Sequence, residues 1–317
     1  MKVYITGKLP GNIEKYLRDK GFAVSVYKKD SAVSRDELIK NAGKADALIT
    51  LLSDRIDKGI IDKLTDCKII ANYAVGYNNI DIEYAGSKGI VVTNTPDILT
   101  DATADLALTL TLAVARRLTA GEELMRGGQF KGWKPQMLLG VELRKKVVGI
   151  VGAGRIGQAA AERLKAFGTK ILYYNRSRKP DFEKKLGAKK VSLNKLLETA
   201  DIISLHIPLT ENTFHLLNKE NLKLLKKTAI VINTARGEVV EEKALLKLLK
   251  ANRIFGAGFD VYEGEPDVNP ELLKLENVVL LPHLGSATFE ARAQMAQLCA
   301  ENVVKVLSGK KAVTPVN

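Results

Sequence analysis

The run "KKVVGIVGAGRIGQ", Lys145 to Gln158, constrains the fold more than any other stretch of the chain. A buried-type strand leads into three glycines spaced Gly-x-Gly-x-x-Gly, and an amphipathic helical run follows them. Gly152 permits a tight strand-to-helix turn, Gly154 lets backbone approach a ligand, and Gly157 lets the helix pack closely on the strand. The amides that open the helix, at Arg155, Ile156 and their neighbours, then face outward as a site for phosphate. A glycine turn that binds nothing is the alternative. The strand before it and the helix after it favour a dinucleotide.

About twenty residues beyond such a turn, dinucleotide-binding proteins place Asp or Glu on the adenosine ribose. Here "KILYYNRSRKP" offers Asn175, Arg176, Ser177 and Arg178 instead. A carboxylate would accept ribose hydroxyls and repel a 2′-phosphate. Two guanidinium groups match phosphate geometry, so the site is read as preferring NADP(H), with NAD(H) as second choice. Two solvated arginines on a loop are the alternative.

Around this motif the chain alternates short β-type runs with helical runs. "KVYIT", "FAVSVY", "ADALITLL", "CKIIANYA" and "IVVTNT" come first, with Asn12 and Ser34 placed to cap helices. One long helix is expected from Thr100 through "TDATADLALTLTLAVARRLTAGEELMRGG", followed by an irregular stretch around Trp133. A second series then runs "KVVGIV", "KILYYN", "DIISLHI", "AIVINTA", "IFGAGFDV" and "NVVLLPH", and a helix from about Ala287 to Leu307 closes the chain. This rhythm predicts an α/β protein of two doubly wound parallel-sheet domains.

At 317 residues the chain is long enough for both cores. Its net charge of +13 raises the question of nucleic acid. The lysines are spread over the helical runs beside Glu and Asp, as in "EEKALLKLLKANR", which reads as solvated surface rather than a binding patch. No apolar run reaches the ~20 residues of a bilayer span, so no membrane partner is expected. Cys67 and Cys299 are the only cysteines, which disfavours a disulfide framework or thiolate metal site. "MKVYITGKLPG" reads as a first strand and lacks the apolar region of a signal peptide. A cytoplasmic protein is expected.

Three later segments bring chemistry to the carboxyl ends of predicted parallel strands, where open α/β sheets bind ligands. "VINTARGEVVEEKAL" carries Arg236, "GAGFDVYEGEP" carries Asp260 and Glu265, and "NVVLLPHLGSAT" carries His283. His206 reads as structural and His215 as a surface or packing residue. These segments resemble the D-2-hydroxyacid dehydrogenase family, as do "TADLALTLTLAVARR", "GWKPQMLLGVELRKKVVGIVGAGRIG" and "LHIPLTENTFHLLN", and the resemblance spans essentially the full chain. Within the family it is nearest the glyoxylate/hydroxypyruvate reductases.

The resemblance implies a Rossmann dinucleotide-binding domain and a flavodoxin-like substrate domain with a cleft between them. The substrate domain would be discontinuous, 1–96 plus 286–317, with the nucleotide domain at 97–285. Arg236 would hold the substrate carboxylate and keto oxygen, and His283 would be the acid/base. Glu265 would orient the imidazole and stabilise its protonated form. Asp260 would meet the nicotinamide carboxamide, with Thr103, Thr234 and Ala235 as further cofactor contacts. The amides of Val75 and Gly76, in "NYAVGYNNID", would bind the substrate carboxylate, beside a wall at Leu52 and Ser53.

Leu51 and Leu52 offer no charge for a phosphate, so a small uncharged tail on the oxo acid fits best. Glyoxylate to glycolate is the leading reaction and hydroxypyruvate to D-glycerate the second. The helix after Thr100 and the stretch around Trp133 resemble the family's dimerisation arm, which implies a homodimer. The rivals are another specificity within the family and a dinucleotide-sensing dimeric scaffold without useful turnover.

Overall fold

The computed structural model describes residues 1–29 and 31–317. They form two compact units, Met1–Leu99 with Ser286–Asn317, and Thr100–Gly285.

In chain order the first unit holds β1 (Lys2–Ile5), α1 (Ile13–Asp19), β2 (Ala23–Val26), α2 (Arg35–Ala42), β3 (Ala47–Thr50), α3 (Lys58–Ile61), β4 (Ile69–Asn72), α4 (Ile82–Ser87) and β5 (Val91–Thr93). The second holds α5 (Thr100–Ala115), α6 (Leu118–Arg126), β6 (Val147–Val151), α7 (Arg155–Ala166), β7 (Lys170–Tyr174), α8 (Pro180–Leu186), β8 (Lys189–Lys190), α9 (Leu193–Thr199), β9 (Ile202–Leu205), β10 (Ile230–Asn233), α10 (Glu242–Lys250), β11 (Gly256–Phe259) and β12 (Val278–Leu280). The last helix, α11 (Phe289–Leu307), returns to the first unit.

Among the described residues the first unit has a five-stranded sheet in the order β2-β1-β3-β4-β5, and the second a seven-stranded sheet in the order β12-β11-β10-β9-β6-β7-β8. All pairings between these strands are parallel, as the alternation of strand and helix predicts. The second unit's strand order reverses at β6, so its carboxyl end, at Gly152, lies at the switch point where such sheets bind ligands.

Strand periodicity explains the layering. In β6, Val148 and Ile150 bury toward Leu110 of α5 and Leu164 of α7, whereas Val151 joins Leu196, Leu205 and Val231 on the opposite face. Each such aliphatic side chain contributes about 1.5–3 kcal/mol when fully buried. In the first unit α11 supplies Ala296, Cys299, Val303 and Leu307 to a core with Val3, Ile5, Ile49 and Ile69.

Two local expectations need correction, and one strand was unforeseen. The long helix after Thr100 breaks at Arg117, whose φ of 50° places it in the left-handed region; its Nε donates to the Leu139 carbonyl, and its guanidinium lies 4.9 Å from the Phe255 ring centroid. Asn12 precedes α1 without a side-chain capping bond, whereas Ser34 accepts from the Glu37 amide as expected. The strand β8 carries two lysines and no apolar signal, so periodicity gave no sign of it.

Candidate active site

The glycine turn is shaped as its spacing requires. Gly152 has φ of +97°, and a Cβ there would come within 2.5 Å of the His206 carbonyl oxygen. A Cβ on Gly157 would lie 2.0 Å from the Gly152 carbonyl oxygen, so only glycine lets α7 approach. Gly154, the residue before α7, faces open space, and Arg155 and Ile156 open the helix. The turn is tied to β7 by the Gly152 amide, which donates to the Tyr174 carbonyl at 2.8 Å. Asn175 accepts from the Ala153 amide at 3.3 Å while its own amide donates to the Ser177 carbonyl at 3.0 Å, so one side chain joins both turns.

Beyond Asn175 the two arginines differ. Arg176 and Ser177 are exposed. Arg178 is drawn onto Glu183 of α8, with Nε 2.9 Å from Oε2 and Nη2 2.8 Å from the same oxygen. Glu183 also accepts from the Tyr173 hydroxyl at 2.6 Å. The Arg178 hydrogen bond leads the effects that hold the Glu183 carboxyl below its usual range.

The predicted catalytic side chains of the second unit converge. His283 Nδ1 lies 2.8 Å from Glu265 Oε2, and the other Glu265 oxygen accepts from the Tyr262 amide at 2.8 Å. Burial alone would raise the Glu265 carboxyl. The His283 hydrogen bond and charge, the Tyr262 amide and Arg236 outweigh it and hold the group below its ordinary range. An ionised Glu265 accepts from Nδ1–H, so it is Nε2 that this pair leaves unengaged. Arg236 follows β10; its Nη1 donates to the Ala235 carbonyl at 2.6 Å, and the Asn233 side chain holds both its carbonyl and the Ala235 amide. Burial lowers the proton affinity of this guanidinium from its usual high value, against the opposing charges of Glu265 and Glu238. At its reference value near 12.5 an arginine remains a cation at neutral pH.

Asp260 does more than its sequence position indicated. Its two carboxylate oxygens accept from the Leu284 amide at 2.6 Å and the Gly285 amide at 2.8 Å, and its carbonyl accepts from the His283 amide at 3.0 Å. His283 has φ of 55°, a left-handed conformation uncommon for a side-chain-bearing residue. Asp260 therefore holds the turn that aims the imidazole. Thr103 supports it by donating to the Gly285 carbonyl at 2.9 Å.

In the first unit, the loops after β3 and β4 share a buried polar network. Asn79 donates to the carbonyls of Leu51 at 3.3 Å and Asp54 at 3.0 Å, beside Leu52 and Ser53. Asn72 donates to the Gly76 carbonyl at 2.9 Å, and Asn94 to the Val75 carbonyl at 2.8 Å. Among the described residues no hydrogen bond takes the amides of Val75 or Gly76. Asp54 accepts from the Leu51 amide at 2.7 Å and from the Thr6 hydroxyl.

The second unit fits a nicotinamide dinucleotide. The glycine cradle has no room for a Cβ at Gly152 or Gly157, and α7 presents its amino terminus there. The Thr234 hydroxyl, between β10 and Arg236, is buried without a hydrogen-bond partner in the protein. Among the described residues no His, Cys, Asp and Glu group could hold a metal ion.

Residue-type reasoning missed Asn72, Asn79, Asp54 and the brace at His215. His215 Nε2 lies 3.0 Å from Glu263 Oε1, two residues before Glu265, and its amide donates to the Glu238 carbonyl. His206 lies 2.8 Å from the Ser204 hydroxyl, with its carbonyl beside Gly152 of the glycine turn. Asn72 and Asn79 lie in "NYAVGYNNID" and both histidines in "LHIPLTENTFHLLN", but the spacing within those segments does not reveal the partners each side chain takes.

Comparison with known proteins bears on this arrangement. Residues 108–285 match the family model "D-isomer specific 2-hydroxyacid dehydrogenase, NAD binding domain". The chain is 51% identical to a glyoxylate reductase of Thermococcus kodakarensis over all of its own length and 96% of that protein. A solved Thermus thermophilus protein superposes with a TM-score of 0.95 at 44% identity, with all of both chains covered. An NADPH-dependent glyoxylate/hydroxypyruvate reductase of Sinorhizobium meliloti, solved with NADP and malonate, gives 0.87 at 33% identity over 99% of this chain and 96% of that one. This chain belongs to the D-isomer-specific 2-hydroxyacid dehydrogenase family and is an NAD(P)-dependent oxidoreductase acting on CH–OH groups.

Proposed function

We propose that this enzyme reduces glyoxylate to glycolate with NADPH in preference to NADH, and hydroxypyruvate to D-glycerate as a second reaction. The observation that carries the reading is the His283–Glu265 pair at 2.8 Å, with Arg236 close enough to act on the same carboxylate. The names of the relatives in Thermococcus and Sinorhizobium support the substrate class.

A nicotinamide dinucleotide held by the glycine turn would supply the hydride for the carbonyl carbon. Arg236 holds the substrate carboxylate and keto oxygen, a fixed cation facing the charge that develops as the carbonyl is reduced. The amides of Val75 and Gly76 bind the carboxylate, and Leu52 and Ser53 limit the tail. His283 passes its Nε2 proton to the keto oxygen, and Glu265 orients the ring through Nδ1. Asp260, Thr103, Thr234 and Ala235 meet the nicotinamide end. Gly152 to Gly157 take the pyrophosphate, and Asn175 to Arg178 form the adenosine end. A 1–96 plus 286–317 substrate domain and a 97–285 nucleotide domain divide this work.

A homodimer is part of the proposal. Leu118, Met125 and Leu139 lie exposed around α6 and the stretch after it, with Trp133 77% exposed, an apolar surface one chain does not cover. Sedimentation at the mass of a single chain would refute it. No helix among the described residues is long and apolar enough to cross a membrane.

The deciding experiment is the steady-state rate with glyoxylate and with hydroxypyruvate, each with NADPH and NADH. Highest kcat/KM with glyoxylate and NADPH is expected. Higher kcat/KM with NADH overturns the cofactor preference, and inactivity with both acids overturns the substrate.

A further inference from the structure

We infer that Lys190, from the short strand β8, is a specificity-determining residue that binds the 2′-phosphate of NADP(H) together with Arg176. This rests on the proposed preference for NADP(H).

The sequence offered Arg176 and Arg178 as the phosphate-binding pair. The fold separates their roles. Arg178 lies along Glu183, where each carboxylate oxygen accepts from its Nε, at 2.9 and 3.1 Å. Arg178 remains 74% exposed, but a phosphate drawing on it would have to compete with the Glu183 carboxylate already hydrogen-bonded to it. One arginine alone is a modest counterpart for a phosphate that carries close to two negative charges.

Strand β8 supplies the missing cation. It pairs in parallel with β7, with Lys190 level with Tyr173. That register brings the Lys190 ammonium to the Arg176 carbonyl, where it donates at 3.1 Å. Lys190 and Arg176 line one concave surface with Tyr174, Asn175, Val191 and Ser192, and Arg178 is not on it. Successive residues of a strand face opposite sides, so Lys189 points away from this surface. Arg176, Arg178 and Lys190 against Glu183 leave a net charge of two positives here; without Lys190 only one remains.

The test uses the intact enzyme and two adenosine-end probes, 2′,5′-ADP and 5′-AMP, with affinities measured by titration calorimetry. Wild type is expected to favour 2′,5′-ADP by roughly tenfold or more, the worth of a charge-assisted contact. Lys190→Met should cut that ratio about five- to tenfold and leave 5′-AMP affinity within about twofold, which also reports correct folding. Lys189→Met removes the same charge from the adjoining position and should leave the ratio intact. Arg178→Met should reduce the ratio less than Lys190→Met.

An unchanged ratio in Lys190→Met, with the wild-type preference present, overturns the role of Lys190 alone. Equal losses in the Lys189 and Lys190 variants overturn it as a site effect, and so does a larger loss on removing Arg178. A wild type that does not prefer 2′,5′-ADP overturns the NADP(H) reading and this inference together.

Discussion

Asn72 and Asn79 bond to each other through their side-chain amides, at 3.1 and 3.3 Å, which closes the loop after β4 on itself, and Asn79 fastens that loop to the one after β3 through the carbonyls of Leu51 and Asp54. Both loops are proposed to touch substrate. Asn79→Ala removes donors to the carbonyls of Leu51 and Asp54 and leaves Asn72 half-partnered, at a cost of about 1–3 kcal/mol in stability. The kinetic signature should be a rise of roughly tenfold in KM for the oxo acid, with dinucleotide affinity nearly unchanged. Steady-state kinetics alongside cofactor titration check this. A variant that weakens cofactor and substrate equally would show the network to be general scaffolding.

Asp260 and His283 make a second testable pair. Asp260→Asn exchanges one acceptor oxygen for a donor that faces a backbone amide, so the turn aiming the imidazole loosens. Turnover should fall about 10- to 100-fold, whereas direct removal in His283→Ala should cost about 10²- to 10⁴-fold. Stopped-flow single turnovers separate a slowed chemical step from slowed release. Full turnover in the Asp260 variant would refute its positioning role.

Stability should depend on pH through His206, which burial pushes down to about 4. The unfolded residue titrates near 6.5, so below that value the unfolded chain gains a proton that the native chain refuses. The stabilisation is complete above about pH 6.5 and is lost progressively toward pH 4, up to about 3 kcal/mol. His206→Gln should flatten the fall of the unfolding midpoint between pH 7 and 4.5. Glu265, held below its ordinary range, contributes in the same direction but at lower pH, losing its share as pH falls from the unfolded value near 4.5 through its folded one. Parallel wild-type and variant curves would exclude His206 as the source.

Both thiols should be silent. Cys67 is buried and pushed up to about 12, and Cys299, buried against β4, is raised by the same cause. At pH 8 neither should react with a disulfide reagent in the native enzyme, and both should react in denaturant. Rapid modification of native protein with loss of activity would contradict the burial.

How much of this was legible beforehand differs by residue. Gly152, Gly154 and Gly157 announce their turn because steric demand leaves few substitutes. Arg236, Glu265 and His283 were recognisable from surrounding motifs, although their meeting depends on strands far apart in sequence. The parallel sheets followed from alternating periodicities. Arg117 stayed hidden because the apolar pattern continues across it, and the left-handed turn is secured by Leu139 and Phe255, neither nearby in the chain. The surroundings of Arg178 and Lys190 were hidden for a similar reason: Glu183 engages the first, and the β7–β8 register brings the second to the Arg176 carbonyl. Polar networks such as Asn72–Asn79 are specified pairwise in space, and no single-residue propensity encodes them.

The return of α11 to the first unit also dictates an order in time. Val3, Ile5 and Ile69 find their covering residues, Ala296, Cys299 and Val303, only after the whole of Thr100–Gly285, roughly 190 residues, has been made, which adds about 10–40 s at ordinary elongation rates. The second unit, made from one uninterrupted stretch, can finish first. Until α11 arrives, Ile13 and Leu17 of α1 cover only part of one face of the earliest strands, so a nascent chain stalled before Phe289 is where a chaperone should be found bound.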